Sequence, residues 1–300
     1  MNKHLHKKLH ILFILVMTLF NSNIFAQDDL LLQLKEESMD DRREPVQASF
    51  KGDRIINVQT NETVKKKNLD VRVSHLFGNI GKKSGGGFHN LYGFDQSQDI
   101  RISLHYGITD RLMAGFGRTK RHENLEGLLK YKLLQQSIDN SMPVSVTLFG
   151  NTTFSARAKE LVEKDVHRLT YNAQCIITRK FSRNFSMVIV PSYLHRNFVA
   201  ADDENGVLSL GTGMRIKFTP SSSIIFDYYH TFGRDVSGME FFDPIGAGVE
   251  IETGGHVFTL MFTNASGIIE NDFLVNTMDD WGKGGMKFSF IISRMFKVGS

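Results

Sequence analysis

The sequence has one cysteine, Cys175, in 300 residues. An intramolecular disulfide is therefore impossible, and Cys-x-x-Cys-His haem attachment and cysteine-based zinc sites are excluded. Long hydrophobic runs are also missing. After residue 26 no stretch approaches the roughly 18 apolar residues of a membrane helix, in keeping with a mean hydropathy of −0.20. Nor is there an excess of charge of one sign. The formal net charge is +4, but Lys3, Lys7 and Lys8 supply three of those charges and residues 1–26 contain no acid. Beyond residue 26 the basic and acidic residues are interspersed, so the basic face that nucleic-acid binding requires is absent and no nucleic-acid partner is expected.

What is present begins with an export signal. Three lysines precede an apolar run at residues 11–20, and a polar, small-ended stretch closes at Ala26. This predicts a signal peptide over residues 1–26, cleaved after Ala26. No cysteine follows at the junction, so a lipid-anchored N-terminus is not expected. An exported chain of this length without disulfides must draw its rigidity from another source.

That source is a period of two. Ile100, Ile102, Leu104, Tyr106 and Ile108 alternate with Arg101, Ser103, His105 and Gly107. Leu169, Tyr171, Ala173, Cys175 and Ile177 alternate with mostly polar neighbours, and similar runs lie at 144–148, 208–217, 245–252 and 288–296. Side chains of a strand point to opposite faces in turn, so each run has one apolar and one polar face. Noisier strands are expected at 69–77, 125–134, 185–195, 223–230 and 256–264, and the total is about twelve. Their connections alternate in kind. Tight turns are expected at 109–111, 136–142, 182–184, 219–222 and 253–255, and longer, glycine- and charge-bearing loops at 80–99, 156–165, 197–205, 233–244 and 265–282, with a brief one at 120–124.

Short turns on one rim and long loops on the other, with an even strand count, are the pattern of a bacterial transmembrane barrel. The expected fold is all-β: a closed antiparallel transmembrane β-barrel over residues 68–297, with short periplasmic turns and longer extracellular loops. A soluble β-sandwich also alternates, but the alternation of loop lengths, the export signal and the lack of disulfides favour the barrel. In the tight turn at 109–111, Asp110 is expected to supply the turn chemistry. Residues 27–67 are expected to form a periplasmic extension, in which 28–43 is charged and reads as a mobile tail or, through a small Leu30–Leu34 cluster, as one or two helical turns. Residues 50–58 read as a short strand, which serves either as a plug of the periplasmic mouth or as a simple lead-in to the barrel.

If the polar face encloses the lumen, Asp70, Arg72, Arg101, Lys130, Lys132, Arg168, Arg215, Lys217, Asp227, Glu250 and Glu252 line it, joined by Glu126. Mixed signs in a confined space pair with one another, because an unpaired charge there loses hydration. The interior should therefore be filled or narrow. Twelve strands lie between packed eight-stranded barrels and water-filled sixteen-stranded porins. Two functions follow: a narrow pore for small polar solutes, or an occluded barrel that acts as a membrane anchor or partner platform. No motif fixes a Ser-His pair, so a hydrolase is not expected. The histidines lack metal-ligand spacing, and neither metal nor cofactor is expected. The Gly-Asn-Ile-Gly-Lys-Lys-Ser run at 78–84 lacks the first glycine of a phosphate loop.

The stretches "FKGDRIINVQTNETVKKKNLDVRVSHLFG" (50–78), "YGITDRLMAGFGR" (106–118), "LLKYKLLQQS" (128–137), "MPVSVTLFG" (142–150), "ETGGHVFTLMFTNASGIIE" (252–270) and "WGKGGMKFSFIISRMF" (281–296) together resemble an uncharacterised family of outer-membrane β-barrels of Bacteroidetes-type bacteria. The resemblance implies a barrel in the cell outer membrane of a Gram-negative organism and no particular chemistry. The expected partners are outer-membrane lipid and the barrel-assembly machinery, and, on the platform reading, a periplasmic partner reached through residues 27–67.

Overall fold

The computed structural model describes residues 44–157, 162 and 164–298. The expected signal peptide, its cleavage point and the charged stretch 28–43 with its Leu30–Leu34 cluster lie outside these residues.

Twelve antiparallel strands close on themselves in chain order. They are β1 (Asn68–Asn79), β2 (Ser97–Gly107), β3 (Leu112–Thr119), β4 (Asn124–Leu134), β5 (Ser145–Ser155), β6 (Leu169–Lys180), β7 (Phe185–Arg196), β8 (Gly206–Lys217), β9 (Ser222–Thr231), β10 (Ile245–Thr253), β11 (His256–Thr263) and β12 (Lys287–Lys297). The seam is a β1–β12 ladder in which Leu69 faces Phe296 and Val73 faces Ile292. Closure removes both free edges, so every wall strand has two ladder partners.

The alternation read in the sequence sets which way each strand faces. Along β2, Arg101, Ser103 and His105 are buried inward, whereas Ile102, Leu104 and Tyr106 are exposed outward. The contrast is sharpest in β4, where Leu129 is 57% exposed and its neighbour Lys130 is 0% exposed. An apolar side left bare on all strands needs a lipid solvent, because water would disfavour it.

Two of the tight turns obtain their geometry from hydroxyls. In the β2–β3 turn, Thr109 Oγ1 accepts from the backbone N–H groups of Arg111 (3.1 Å) and Leu112 (2.9 Å). Ser182 Oγ does the same for Asn184 (3.2 Å) and Phe185 (3.1 Å) between β6 and β7. The expectation that Asp110 supplies the turn chemistry is thus corrected. The Thr109 hydroxyl already satisfies those donors, and Asp110 Oδ1 instead accepts from Lys66 N–H at 3.2 Å.

The interior departs from a purely polar face. Inward positions of β5 to β9 include Phe149, Ile176, Val188, Val190, Leu194, Ile225 and Tyr229, all buried. Strand β7 is apolar on both faces through this stretch, because lipid lies on one side and the packed interior on the other. These residues belong to one apolar cluster with Phe50, Ile55, Ile56, Val58 and Val64 from the segment before β1, and with Phe273, Leu274 and Val275 from the β11–β12 loop. The centre of the barrel is a packed core to which two insertions contribute.

Candidate functional site

The first insertion is a finger formed by residues 50–64. It is not a strand: its only ladder-like pairing is an isolated bridge between Arg54 and Gln59. A tight reversal at the tip is closed by Ile55 N–H donating to Val58 O at 2.9 Å, and the two arms are tied by Thr60 N–H to Asp53 O at 2.8 Å. Phe50 N–H reaches Glu62 Oε1 at 3.2 Å nearer the base. The run "FKGDRIINV" lacks period two because it lies among side chains on all sides, not on a two-faced sheet.

The wall receives the tip with one carboxylate. Asp227 on β9 accepts backbone N–H bonds from Ile56 (3.2 Å), Asn57 (2.6 Å) and Val58 (2.8 Å), and Oδ1 accepts from Asn57 Nδ2 at 3.1 Å. Three successive N–H groups converging on an anion satisfy donors that no ladder could reach. The wall also gives way sterically. A Cβ on Gly246 would fall 2.7 Å from Ile56 Cγ2, and one on Gly213 would fall 2.6 Å from Ile55 Cδ1. Glycine at these two places lets the tip reach the backbone of the wall.

Below the tip, Asp53 is the hub of a charge cluster. It pairs with Arg72, which also holds Asp70 at 2.5 Å, and it lies 2.7 Å from His105 Nδ1. Lys130 Nζ donates to Asp53 O (2.7 Å), Gln59 Oε1 (3.0 Å) and Thr60 O (3.1 Å), filling its three donor positions. Burial acts to raise the Asp53 carboxyl pKa, but the charges of Arg72, His105 and Lys130 outweigh it and hold that pKa well below the usual range.

The second insertion folds in from the long-loop rim as the helix Glu270–Asn276. Its Phe273 packs against Tyr229 with ring centroids 5.4 Å apart. The two insertions meet directly. Arg54 donates to Glu270 Oε1 at 2.7 Å and to the Ile268 carbonyl, Gln59 Nε2 donates to Glu270 Oε1 at 2.9 Å, and Asn151 Nδ2 donates to Glu270 Oε2 at 3.1 Å. On the far side of the helix, a cavity of about 330 Å³ opens at the rim among His230, Arg234, Phe241, Asp243, Leu274 and Thr277.

Of the charged residues assigned to the lumen from sequence, Asp70, Arg72, Arg101, Lys130, Arg215, Asp227 and Glu250 are buried inside, and Glu126 with them. They pair across strands: Arg101 with Glu126 at 2.7 Å and Arg215 with Glu250 at 2.8 Å. Lys132, Lys217 and Glu252 lie near strand ends and are half-buried, and Glu252 is bonded to Lys51. Arg168 is corrected. It ends a 3-10 turn before β6, its guanidinium bonds the Ser155 and Ala156 carbonyls, and it lies 4.0 Å over the Phe154 ring. The strand alternation starts only at Leu169, so it does not govern the direction of Arg168. Sequence reasoning did not single out Asp53, Arg54 or Glu270. Their segments carry no repeating pattern that would have placed them.

Among solved structures, the NanC porin aligns over 77% of this chain and 100% of its own, at 10% identity and a TM-score of 0.48. The KdgM porin covers 77% and 99%, at 7% identity and a TM-score of 0.43. OmpF of Salmonella typhi, solved with daunomycin, covers 76% and 96%, at 10% identity and a TM-score of 0.37. No curated protein matches this chain. Residues 50–296 match the family described as "Membrane bound beta barrel domain (DUF5777)", a span that takes in both the finger and the whole wall, and the chain belongs to that family of membrane-bound β-barrels.

Proposed function

We propose that this protein is an outer-membrane β-barrel closed at rest by its own chain, an occluded scaffold and not a standing pore. The short-turn rim faces the periplasm and the long loops face outward in this reading, as in other outer-membrane barrels. The observation that carries it is the finger. Its five buried apolar side chains are each worth about 1.5–3 kcal/mol when fully transferred from water, an upper range for a partly compact reference state. The tip is in addition bound to Asp227 by four hydrogen bonds.

A second reading has its own support. The finger leaves and returns at the same rim: Val46 N–H donates to Gln136 O in the β4–β5 turn, and Lys67 N–H donates to Gly107 O at the end of β2. A loop with both ends on one side can be withdrawn without threading, which would turn the barrel into a gated pore for small polar solutes. Planar-bilayer recording separates the two. The intact chain is expected to give no steady current, and a variant lacking residues 50–64 with a heat-modifiable folded wall is the comparison. Current in that variant alone supports gating, silence in both supports the scaffold, and steady current from the intact chain defeats both.

A further inference from the structure

The loop between β1 and β2 on the long-loop rim, residues 80–96, carries four large apolar side chains in the open: Phe88, Leu91, Tyr92 and Phe94, with Phe88 82% exposed. Order holds them there. Asn90 is buried, donates to Gly85 O at 3.1 Å and accepts from Gly93 N–H at 3.2 Å, and Tyr92 N–H donates to Gly87 O at 2.7 Å. Leu91 and Tyr92 both adopt left-handed backbone, at φ 48° and 54°. For bulky residues that conformation costs on the order of 1–2 kcal/mol. A loop that keeps such strain in order to display apolar side chains is constrained by where those side chains must go.

Phe94 shows the direction. Its ring centroid lies 5.2 Å from Phe77 and 5.4 Å from Phe288, and Phe288 lies 5.7 Å from Phe262. Phe77, Phe262 and Phe288 occupy outward positions of β1, β11 and β12, on the wall face left bare for lipid. The displayed loop is therefore continuous with the lipid-facing surface. Lys82 and Lys83 are exposed in the same loop. Apolar side chains beside lysines that can reach upward suit a bilayer boundary, where acyl chains give way to phosphates.

We propose that residues 80–96 form a membrane-docking element that lies along the outside of the barrel at the long-loop rim. Phe88, Leu91 and Tyr92 enter the acyl layer, and Lys82 and Lys83 sit at the level of the lipid phosphates. A second copy of the chain packed on the same side chains is the competing occupant, and the test distinguishes it.

Trp281 is the only tryptophan, so Phe88→Trp combined with Trp281→Phe makes a single reporter in the full chain. Tyr92→Trp replaces Phe88→Trp if that variant loses the heat-modifiable mobility of the folded barrel. After reconstitution into phosphatidylcholine and phosphatidylglycerol vesicles, chains brominated along the acyl region are expected to reduce its emission about twofold or more, as for an indole at acyl depth. Unchanged emission overturns the proposal, and so does absent quenching together with cross-linking between copies at position 88. The lysines are tested separately. When only one lipid is brominated, phosphatidylglycerol is expected to quench about twice as well as phosphatidylcholine, given the attraction of each lysine for an anionic surface. Lys82→Glu with Lys83→Glu should abolish that preference and leave total quenching intact. Equal quenching by both lipids in the unsubstituted loop overturns the phosphate assignment.

Discussion

Asp227 bears more of the finger's seating than any other single residue. One carboxylate oxygen, Oδ2, accepts three successive backbone N–H groups while Oδ1 takes the Asn57 amide. Asp227→Asn keeps the size but replaces one acceptor oxygen by an N–H₂ group, which faces donors whichever way it turns. Hydrogen bonds to a charged partner contribute about 1.5–3 kcal/mol, and a buried donor left unmatched costs about 1–3 kcal/mol. Hydrogen exchange of residues 50–64 is therefore expected to quicken by roughly one to two orders of magnitude, at about 1.4 kcal/mol per tenfold, with the wall strands unaffected. Equal protection in both proteins would show that the apolar contacts alone hold the tip. The steric provision at Gly246 and Gly213 is the second half of the same receptor, because the carboxylate reaches the tip only when the tip touches the wall.

For the strands, the contrast between neighbours in β4 gives a direct check on orientation. Leu129 faces outward near the middle of its strand, paired with Ala114 and Gly150, and Leu129→Arg is expected to destabilise the folded barrel by about 2–4 kcal/mol in bilayers, falling toward zero for substitutions near the rims. Denaturant titration in vesicles measures it, and a neutral outcome would mean that this face does not contact lipid. The long loops answer to pH instead. Asp203 clasps Arg196 through two 2.9 Å bonds and also binds Arg234 of the next long loop. Burial works to raise its pKa, but the hydrogen bond and charge of Arg196, with the charge of Arg234, hold it below the ordinary value. With the folded pKa depressed, the clasp is fully present above the unfolded value of about 3.9 and is lost as pH falls through the folded one. Proteolysis of residues 232–244 should be slow and equal at pH 7 and pH 5, then faster at pH 3. Period two made the wall strands legible in the sequence, because lipid on one side and protein on the other impose it at every residue. The finger and the helix Glu270–Asn276 have no such two-sided surroundings and left no period to read, and Arg168 was misplaced by extending a strand's phase into a 3-10 turn.

Across the whole barrel, the interior holds the hydrophobic core of the protein, and two insertions enter it from opposite rims. The charged wall positions were legible because each takes the polar phase of a period-two alternation. The junction was not, since Arg54 and Glu270 are 216 residues apart and belong to segments without a repeating pattern. That junction yields a test of whether finger and helix form one unit. Arg54→Ala removes the cation facing Glu270 while Gln59 and Asn151 still bond its two oxygens. Breaking a buried pair from one side typically costs about 3–5 kcal/mol, because the remaining charge is stranded. Glu270→Gln strands Arg54 in the same way, so the double variant should be less destabilised than the two singles together, by about 1–3 kcal/mol. The decisive readout is spatial. Arg54→Ala should speed hydrogen exchange in residues 270–276 as well as in 50–64, since each insertion is the other's buried partner. Exchange that rises in the finger alone would mean that the helix is held by Phe273 against Tyr229 and by the rim loops, and that the barrel is closed by two independent stoppers.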